Sequence, residues 1–359
     1  VGFSRRGIFT VPTLPATLTA FPVPVSITDN DFKQAGSGGY VGDSLARDVR
    51  FFSNSGLTTP LPFVKKHYDA AAGQFVGWVK PGSLASGQLI YAGIGDPALN
   101  ADISDVSNTF NTGFNNVVIF FDAGGGALGA KDLITNVTGT VTGATLATGI
   151  NGPAASFNGS GQRIDFGTGN YVTTGQLLVT VIVKPNTTNR CDVVSVWSLG
   201  VAPASQYDLV WGITSGKPDL YFVGPGGIKH SGAGGSGIST GTWYSMHGQA
   251  DGTHVRCFLN GALQASDAGG APGEGPQTSP TDAFRIGENN NGDGDTDAIV
   301  DTVYVHNTAR LISADYESWL QVEDAALRDP ASFLSYSSEP FVAGGAAAVR
   351  HYSKFVGGL

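Results

Sequence analysis

Charge and cysteine are what this chain has least of. Only 14% of its 359 residues are Asp, Glu, Lys or Arg, and there are two cysteines, Cys191 and Cys257. Two cysteines cannot build a disulfide scaffold. Both lie in predicted strands of one domain, so a bridge is open to them, but two buried thiols are the preferred expectation. Basic charge is also short. The net charge is −9 and the pI is near 5.0, which leaves no basic face for nucleic acid or an anionic membrane. No apolar run is long enough to span a bilayer. The stretch Val1-Gly-Phe-Ser-Arg-Arg6 is not followed by an apolar core of roughly 7–15 residues, so no secretory signal is expected. The six histidines are scattered without H-x-x-H or H-E-x-x-H spacing, which gives zinc no site.

Glycine and hydrophobic residues are what the chain has in quantity: 52 Gly, 18 Pro and 41% hydrophobic residues. The glycines follow no three-residue period, and Val, Ile and Phe are too frequent for disorder. Short strands joined by Gly-rich turns fit this composition, and the length suits two domains. The clearest stretch runs from Thr240 to Asn307. There, alternating runs such as Val255-Arg-Cys-Phe-Leu259 and Ala298-Ile-Val-Asp-Thr-Val-Tyr-Val-His306 are separated by Asp251-Gly252 and Asn260-Gly261, the mark of antiparallel hairpins. Leu177 to Lys184 is a β-branched run that should lie centrally in a sheet. Ser313 to Arg328 changes pattern: Tyr316, Trp319, Leu320 and Leu327 recur at helical spacing, Ser313 can cap, and Pro330 ends the helix.

The order Thr242-Trp243-Tyr244, Asp251-Gly252, Val255 to Gly261, Arg285-Ile286-Gly287 and Asp297 to His306 resembles the laminin-G-like, concanavalin-type β-sandwich family. Gly149 to Gly159 and Ile164 to Gly167 resemble that family's opening strands. Ahead of it, Phe21-Pro-Val-Pro-Val-Ser-Ile-Thr-Asp29, Asp48-Val-Arg-Phe51, Tyr68 to Gly73, Trp78 to Gly87 and Gly95-Asp-Pro97 look like a bacterial and phage domain of unknown function that commonly precedes laminin-G-like domains. The fold this implies is all-β: two tandem antiparallel β-sandwich, jelly-roll-like domains with a short C-terminal helix and an extended tail. The expected boundaries are 1–116 for the first sandwich, 117–312 for the second, and 313–359 for the helix and apolar tail.

Candidate sites are few. Gly237-Ile-Ser239-Thr-Gly241 fits the serine-hydrolase elbow pattern but runs into a strand instead of a helix, so it reads as coincidence. Glu288 to Asp297 concentrates Asp and Asn. A solvated turn is the first expectation there, with calcium at Asp293, Asp295 and Asp297 the second. No other cofactor is expected. Exposed aromatics can stack on sugar rings, and Tyr207, Trp243 and Tyr244 are the candidates, whereas Trp197 and Trp211 sit in alternating runs that favour burial. Asp297 and Asp301 lie four apart on a strand, and the resemblance makes them structural; no acid pair for glycoside hydrolysis stands out. The apolar tail offers Phe341, Val342, Tyr352 and Phe355 for assembly, against the alternative of a strand folded back on its own sandwich.

The functional expectation is therefore a non-enzymatic phage virion structural protein: a head decoration, tail or fibre component that contacts other virion proteins, copies of itself, and host-surface glycans, with no nucleic acid or membrane partner. A carbohydrate-binding module of a bacterial surface or secreted protein is the alternative. A polysaccharide-active enzyme on the same fold is the third.

Overall fold

Two antiparallel sheets of unequal size make the second sandwich, and their strands follow the alternation of the sequence. The computed structural model describes residues 2–341 apart from 111–112, 170–171, 173–174, 199–204, 213–215, 225–226, 232–234, 253, 268–279, 293 and 308–313. The nine-stranded sheet is ordered Leu128–Asp132, Phe114–Asp122, Asp297–His306, Leu177–Pro185, Tyr244–Ala250, Val255–Leu259, Ala262–Asp267, with Gly152–Asn158 pairing both Asp297–His306 and Thr145–Gly149. The β-branched run is thus central. The seven-stranded sheet is ordered Thr140–Thr142, Arg163–Asp165, Arg285–Ile286, Cys191–Val196, Tyr207–Trp211, Pro218–Gly224, Gly227–His230.

Alternate residues of both sheets meet in one core, among them Val181, Val183, Val194, Tyr207, Leu209, Trp211, Phe222, Met246 and Val303. Fully burying a side chain of this size is worth about 1.5–3 kcal/mol, so this layer dominates the stability of the sandwich. Asn260 and Gly261 both have positive φ, 54° and 72°, as a two-residue hairpin requires. Both cysteines are free, buried thiols, and burial pushes Cys191 up to about 12.

The N-terminal sandwich is smaller. Arg5–Thr10, Leu89–Ile94 and Val49–Phe52 form one sheet, and Val23–Thr28, Gln74–Val79 and Phe63–Asp69 form the other. Its core is completed by the end of the chain. Trp319, Val322 and Ala326 of the Ala314–Arg328 helix pack into it, and Trp319 meets Phe21 edge-on with centroids 4.6 Å apart. Ser335–Pro340 then adds a strand beside Arg5–Thr10, in register from Arg5–Pro340 to Thr10–Ser335.

The expected third segment, 313–359, is a helix and apolar tail. The stretch to Pro340 instead belongs with the first sandwich, so the jelly roll sits between two pieces of one unit. Phe341, expected to serve assembly, packs with Phe3, Phe52 and Leu57 of its own chain, because the paired strand delivers it there. Val342, Tyr352 and Phe355 lie outside the described residues.

The helix also seals the nine-stranded sheet. Leu320 packs on Leu178 and Phe258, and Leu327 joins Trp78, Phe110 and Tyr304 between the two sandwiches. Lys66 and Asp301, both with fully buried side chains, form an ion pair of 2.6 Å across that junction. Asp301 also accepts the Asn151 N–H at 2.6 Å and the Thr302 hydroxyl at 3.0 Å.

Candidate functional site

Strand alternation puts a second set of residues on the outer face of the seven-stranded sheet. Val194, Val196, Tyr207, Leu209, Leu220 and Phe222 point into the core, so Ser195, Asp208 and Tyr221 point away from it. The register makes them a continuous row from strand to strand: Asp165, Arg285, Ser195, Asp208, Tyr221, His230. A bulge between Asp192 and Val194 turns Asp192 to the same side.

The row is closed at one end and open at the other. Asp192, Ser195 and Asp208 are buried beneath the segment that follows Ile286. Asn289 donates its amide to Asp192 at 2.6 Å, and the Asp192 N–H donates to the Gly294 carbonyl at 2.6 Å. Gly294 has φ +70°, and a Cβ there would lie 2.2 Å from the Asp192 carboxyl, so only glycine lets the segment lie this close. At the open end Tyr221 is half-buried and stacked on His230, with centroids 5.1 Å apart and planes 11° apart, while Trp197 meets Tyr221 edge-on at 6.1 Å. Ile228, on the same edge strand, is 50% exposed. Arg190 reaches over the row and donates Nε and Nη2 to Asp192 at 3.0 and 2.8 Å.

The electrostatics follow from this burial. Desolvation pushes the Asp208 carboxyl well above the ordinary carboxylate range, and the charge of Asp192 adds to it. Desolvation also raises Asp192. Asp192 holds Arg190 and the Asn289 amide, so it is the member that stays ionised, and Asp208 keeps the proton. Asp208 Oδ1 has no hydrogen-bond partner among the described residues. Burial raises Tyr221 to about 12, with Asp219 contributing. Asp219 in turn accepts the Ser231 hydroxyl at 2.6 Å and faces His230 at 3.3 Å. The face therefore offers ring surface, a neutral hydroxyl and carboxyl oxygens. Asp192 and Asp208, 0% and 2% exposed, are buried, whereas a glycosidase acid pair flanks a space that the sugar enters.

The residues singled out from sequence lie elsewhere. Tyr207, expected at the surface, is fully buried, because its strand position alternates with Asp208 and faces the core. Tyr244 is also buried, and its hydroxyl accepts the Ser239 N–H at 2.9 Å. Trp243 is half-buried, with the Lys184 ammonium 5.5 Å over its ring. These three do not form one platform. Trp197 and Trp211 are buried, as expected. Ser239 is exposed and leads into a strand.

Of the calcium candidates, Asp293 lies outside the described residues. Asp297 accepts the Asn186 side-chain amide at 3.0 Å. Among the described residues no three His, Cys, Asp or Glu side chains converge on a metal position. The acids that do come together, Asp192 and Asp208, went unnoticed in the sequence. Each is a single polar residue in an apolar strand (Cys-Asp-Val-Val and Tyr-Asp-Leu-Val), and that interruption was the available signal.

Residues 158–312 match the family described as the concanavalin A-like lectin/glucanases superfamily, and this part of the chain is a concanavalin A-like, laminin-G-like jelly roll. No curated protein matches the sequence. Among solved structures, domain 4 of AbnA, a GH43 extracellular arabinanase from Geobacillus stearothermophilus in complex with arabinotriose, is 20% identical. That match covers 58% of this chain and 98% of that one, with a TM-score of 0.43. A mutant Trypanosoma rangeli sialidase displaying trans-sialidase activity is 12% identical over 66% of this chain, with a TM-score of 0.44; the match spans 35% of the sialidase. The botulinum neurotoxin serotype D binding domain is 11% identical over 60% of this chain and 51% of that one, with a TM-score of 0.43. At identities this low the likeness is one of fold alone.

Proposed function

We propose that this chain is a non-catalytic display protein that contacts carbohydrate through the open end of its seven-stranded sheet, with the N-terminal sandwich as its mount on a phage particle. The observation that carries the carbohydrate reading is the half-open Tyr221–His230 stack, held in place by Trp197 and flanked by Arg190 and Asp219. Ring faces of this kind cover the apolar face of a sugar, while fixed polar groups at their edge orient its hydroxyls. The description of the matched superfamily, lectins and glucanases, agrees with a sugar ligand. The buried state of Asp192 and Asp208 favours binding over hydrolysis.

The particle setting rests on the resemblance of the first hundred or so residues to a domain found in phage proteins. Copies of the chain assembling through sandwich edges belong to the same reading. Two measurements test it. Mass spectrometry of purified particles should find the chain at stoichiometric level, and a glycan array probed with the purified protein should give specific signals that Tyr221→Ala removes. Carbohydrate binding without particle incorporation would leave a surface or secreted binding module. Failure to bind any glycan would end the carbohydrate reading.

A further inference from the structure

We infer that the ligand of the Tyr221–His230 face is an uncharged saccharide, and that acidic glycans are turned away. This rests on the carbohydrate reading above and narrows it. The argument comes from how the cations of the face are used. Arg163 is held by Glu288 at 2.9 Å, Arg285 by Asp165 at 2.8 Å, Arg190 by Asp192 at 2.8 Å, and His230 faces Asp219 at 3.3 Å. Each guanidinium of the outer row already has its carboxylate. A sialic acid, uronate or sulfate ester needs a cation that is free to turn toward it.

Arg190 is the most exposed of the three guanidiniums, with 43% of its side chain exposed, and so is the natural candidate among them to make that turn. Its partner decides against it. Asp192 is fully buried, wedged against Gly294 and fixed by the Asn289 amide. Releasing Arg190 strands a buried carboxylate beside Asp208, a larger loss than an exposed ion pair with the ligand returns. The long-range field has the same sign. Asp165, Asp192, Asp219 and Glu288 stand against Arg163, Arg190 and Arg285 on this face, and the whole chain carries −9. Anionic ligands are therefore repelled on approach.

What remains suits hydroxyls. The Tyr221 hydroxyl is held neutral by burial. The Tyr221 and His230 rings with Ile228 give the apolar surface on which the C–H face of a pyranose or furanose rests. A hydroxyl-rich, uncharged ring uses these groups, whereas an acidic one finds the described guanidiniums of the face, Arg163, Arg190 and Arg285, already on carboxylates.

The test uses the full chain and a defined probe set: maltotriose, cellotriose and arabinotriose against 3′-sialyllactose, trigalacturonate and a chondroitin sulfate tetrasaccharide. Titration calorimetry is run from roughly 0.02 M to 0.5 M salt, where the Debye length shrinks several-fold. The expected result is binding confined to the neutral set, with less than about a twofold change in affinity across that range. Tyr221→Ala and His230→Ala should each weaken it at least about tenfold, with the unfolding midpoint of each variant confirming an intact fold. Preference for an acidic probe, with affinity falling as salt rises, overturns the inference and leaves carbohydrate binding standing. Binding to neither set takes down the carbohydrate reading, and this inference with it.

Discussion

Thr180, Ser245, His247 and Asp301 stand on the outer face of the nine-stranded sheet, just as Ser195, Asp208, Tyr221 and His230 stand on the outer face of the seven-stranded one. The first set is sealed. Thr180 contacts the His247 ring nitrogen at 2.9 Å and Glu323 at 3.2 Å, Ser245 donates to Asp324 at 2.5 Å, and Lys66 closes over Asp301. The second set ends in a stacked ring pair open to solvent. Polar side chains on a sheet face thus serve two ends here. Where a helix and a second sandwich cover them, each needs a built partner, and the face becomes a joint. Where nothing described covers the row's end, the same chemistry is free for a ligand.

The largest effect should come from breaking the joint at its charged centre. Lys66→Ala leaves Asp301 buried without its cation, and removing one member of such a pair costs about 3–5 kcal/mol. Urea unfolding should register that loss. The double variant Lys66→Met with Asp301→Asn should recover part of it, because the stranded charge is gone while an acceptor for the Asn151 N–H remains. If Lys66→Ala unfolds at the native midpoint, the junction is not a sealed contact.

Acid should act on the same joint. Burial lowers His247 from 6.5 to about 4. Its folded-state affinity for a proton is thus below that of the unfolded chain. Its contribution is fully present above pH 6.5 and is lost as pH falls toward 4, because there the unfolded state takes up a proton the folded state refuses. The full loss is about 3 kcal/mol. Wild type should show this slope between those limits and His247→Gln should not; equal slopes would remove His247 from the account. The opposing contribution of Asp208 is common to both proteins and cancels in the difference.

Much of this was legible in the sequence, and the exceptions share one cause. The central Leu177–Pro185 strand, the Asn260-Gly261 hairpin and the C-terminal helix follow from periodicity and turn chemistry, which are local. The strand Ser335–Pro340 was missed because Ser-Tyr-Ser-Ser-Glu-Pro has no apolar alternation; it is specified by Arg5–Thr10, more than 300 residues away in the chain. Tyr207 is expected at the surface from its neighbouring loop, but it begins a strand whose alternation turns it to the core and Asp208 outward. The Arg190–Asp192–Asp208 group needed a bulge, a cross-strand register and a glycine at positive φ to assemble, and none of these is written in spacing alone.

The open face gives a slope of the opposite sign. Asp208 holds its proton in the folded state well above the ordinary carboxylate range. Folded protein therefore carries a proton that the unfolded chain gives up, and stability declines as pH rises above 3.8 toward the raised value. Asp208→Asn keeps a neutral donor toward Asp192 without a proton to lose. It should match wild type near pH 4 and exceed it in stability near pH 8, as urea unfolding at the two pH values will show. A variant less stable at both pH values would mean that Asp208 is ionised, and the shared proton would be wrong.

Tyr221→Ala should cost the fold far less than Lys66→Ala does. Half-buried, Tyr221 loses its ring contacts with His230 and Trp197, about 0.5–1.5 kcal/mol for each pair of this kind. Glycan affinity should nevertheless fall, since the ring is floor to the ligand and only trim to the fold. That mismatch separates the two faces most sharply. A residue of the joint, such as Ser245, should move stability and leave sugar binding unchanged, whereas Tyr221 should do the reverse. If Tyr221→Ala lowers the unfolding free energy as much as Lys66→Ala and binding survives in what stays folded, the open row is a second structural seam, and the ligand lies elsewhere on the jelly roll.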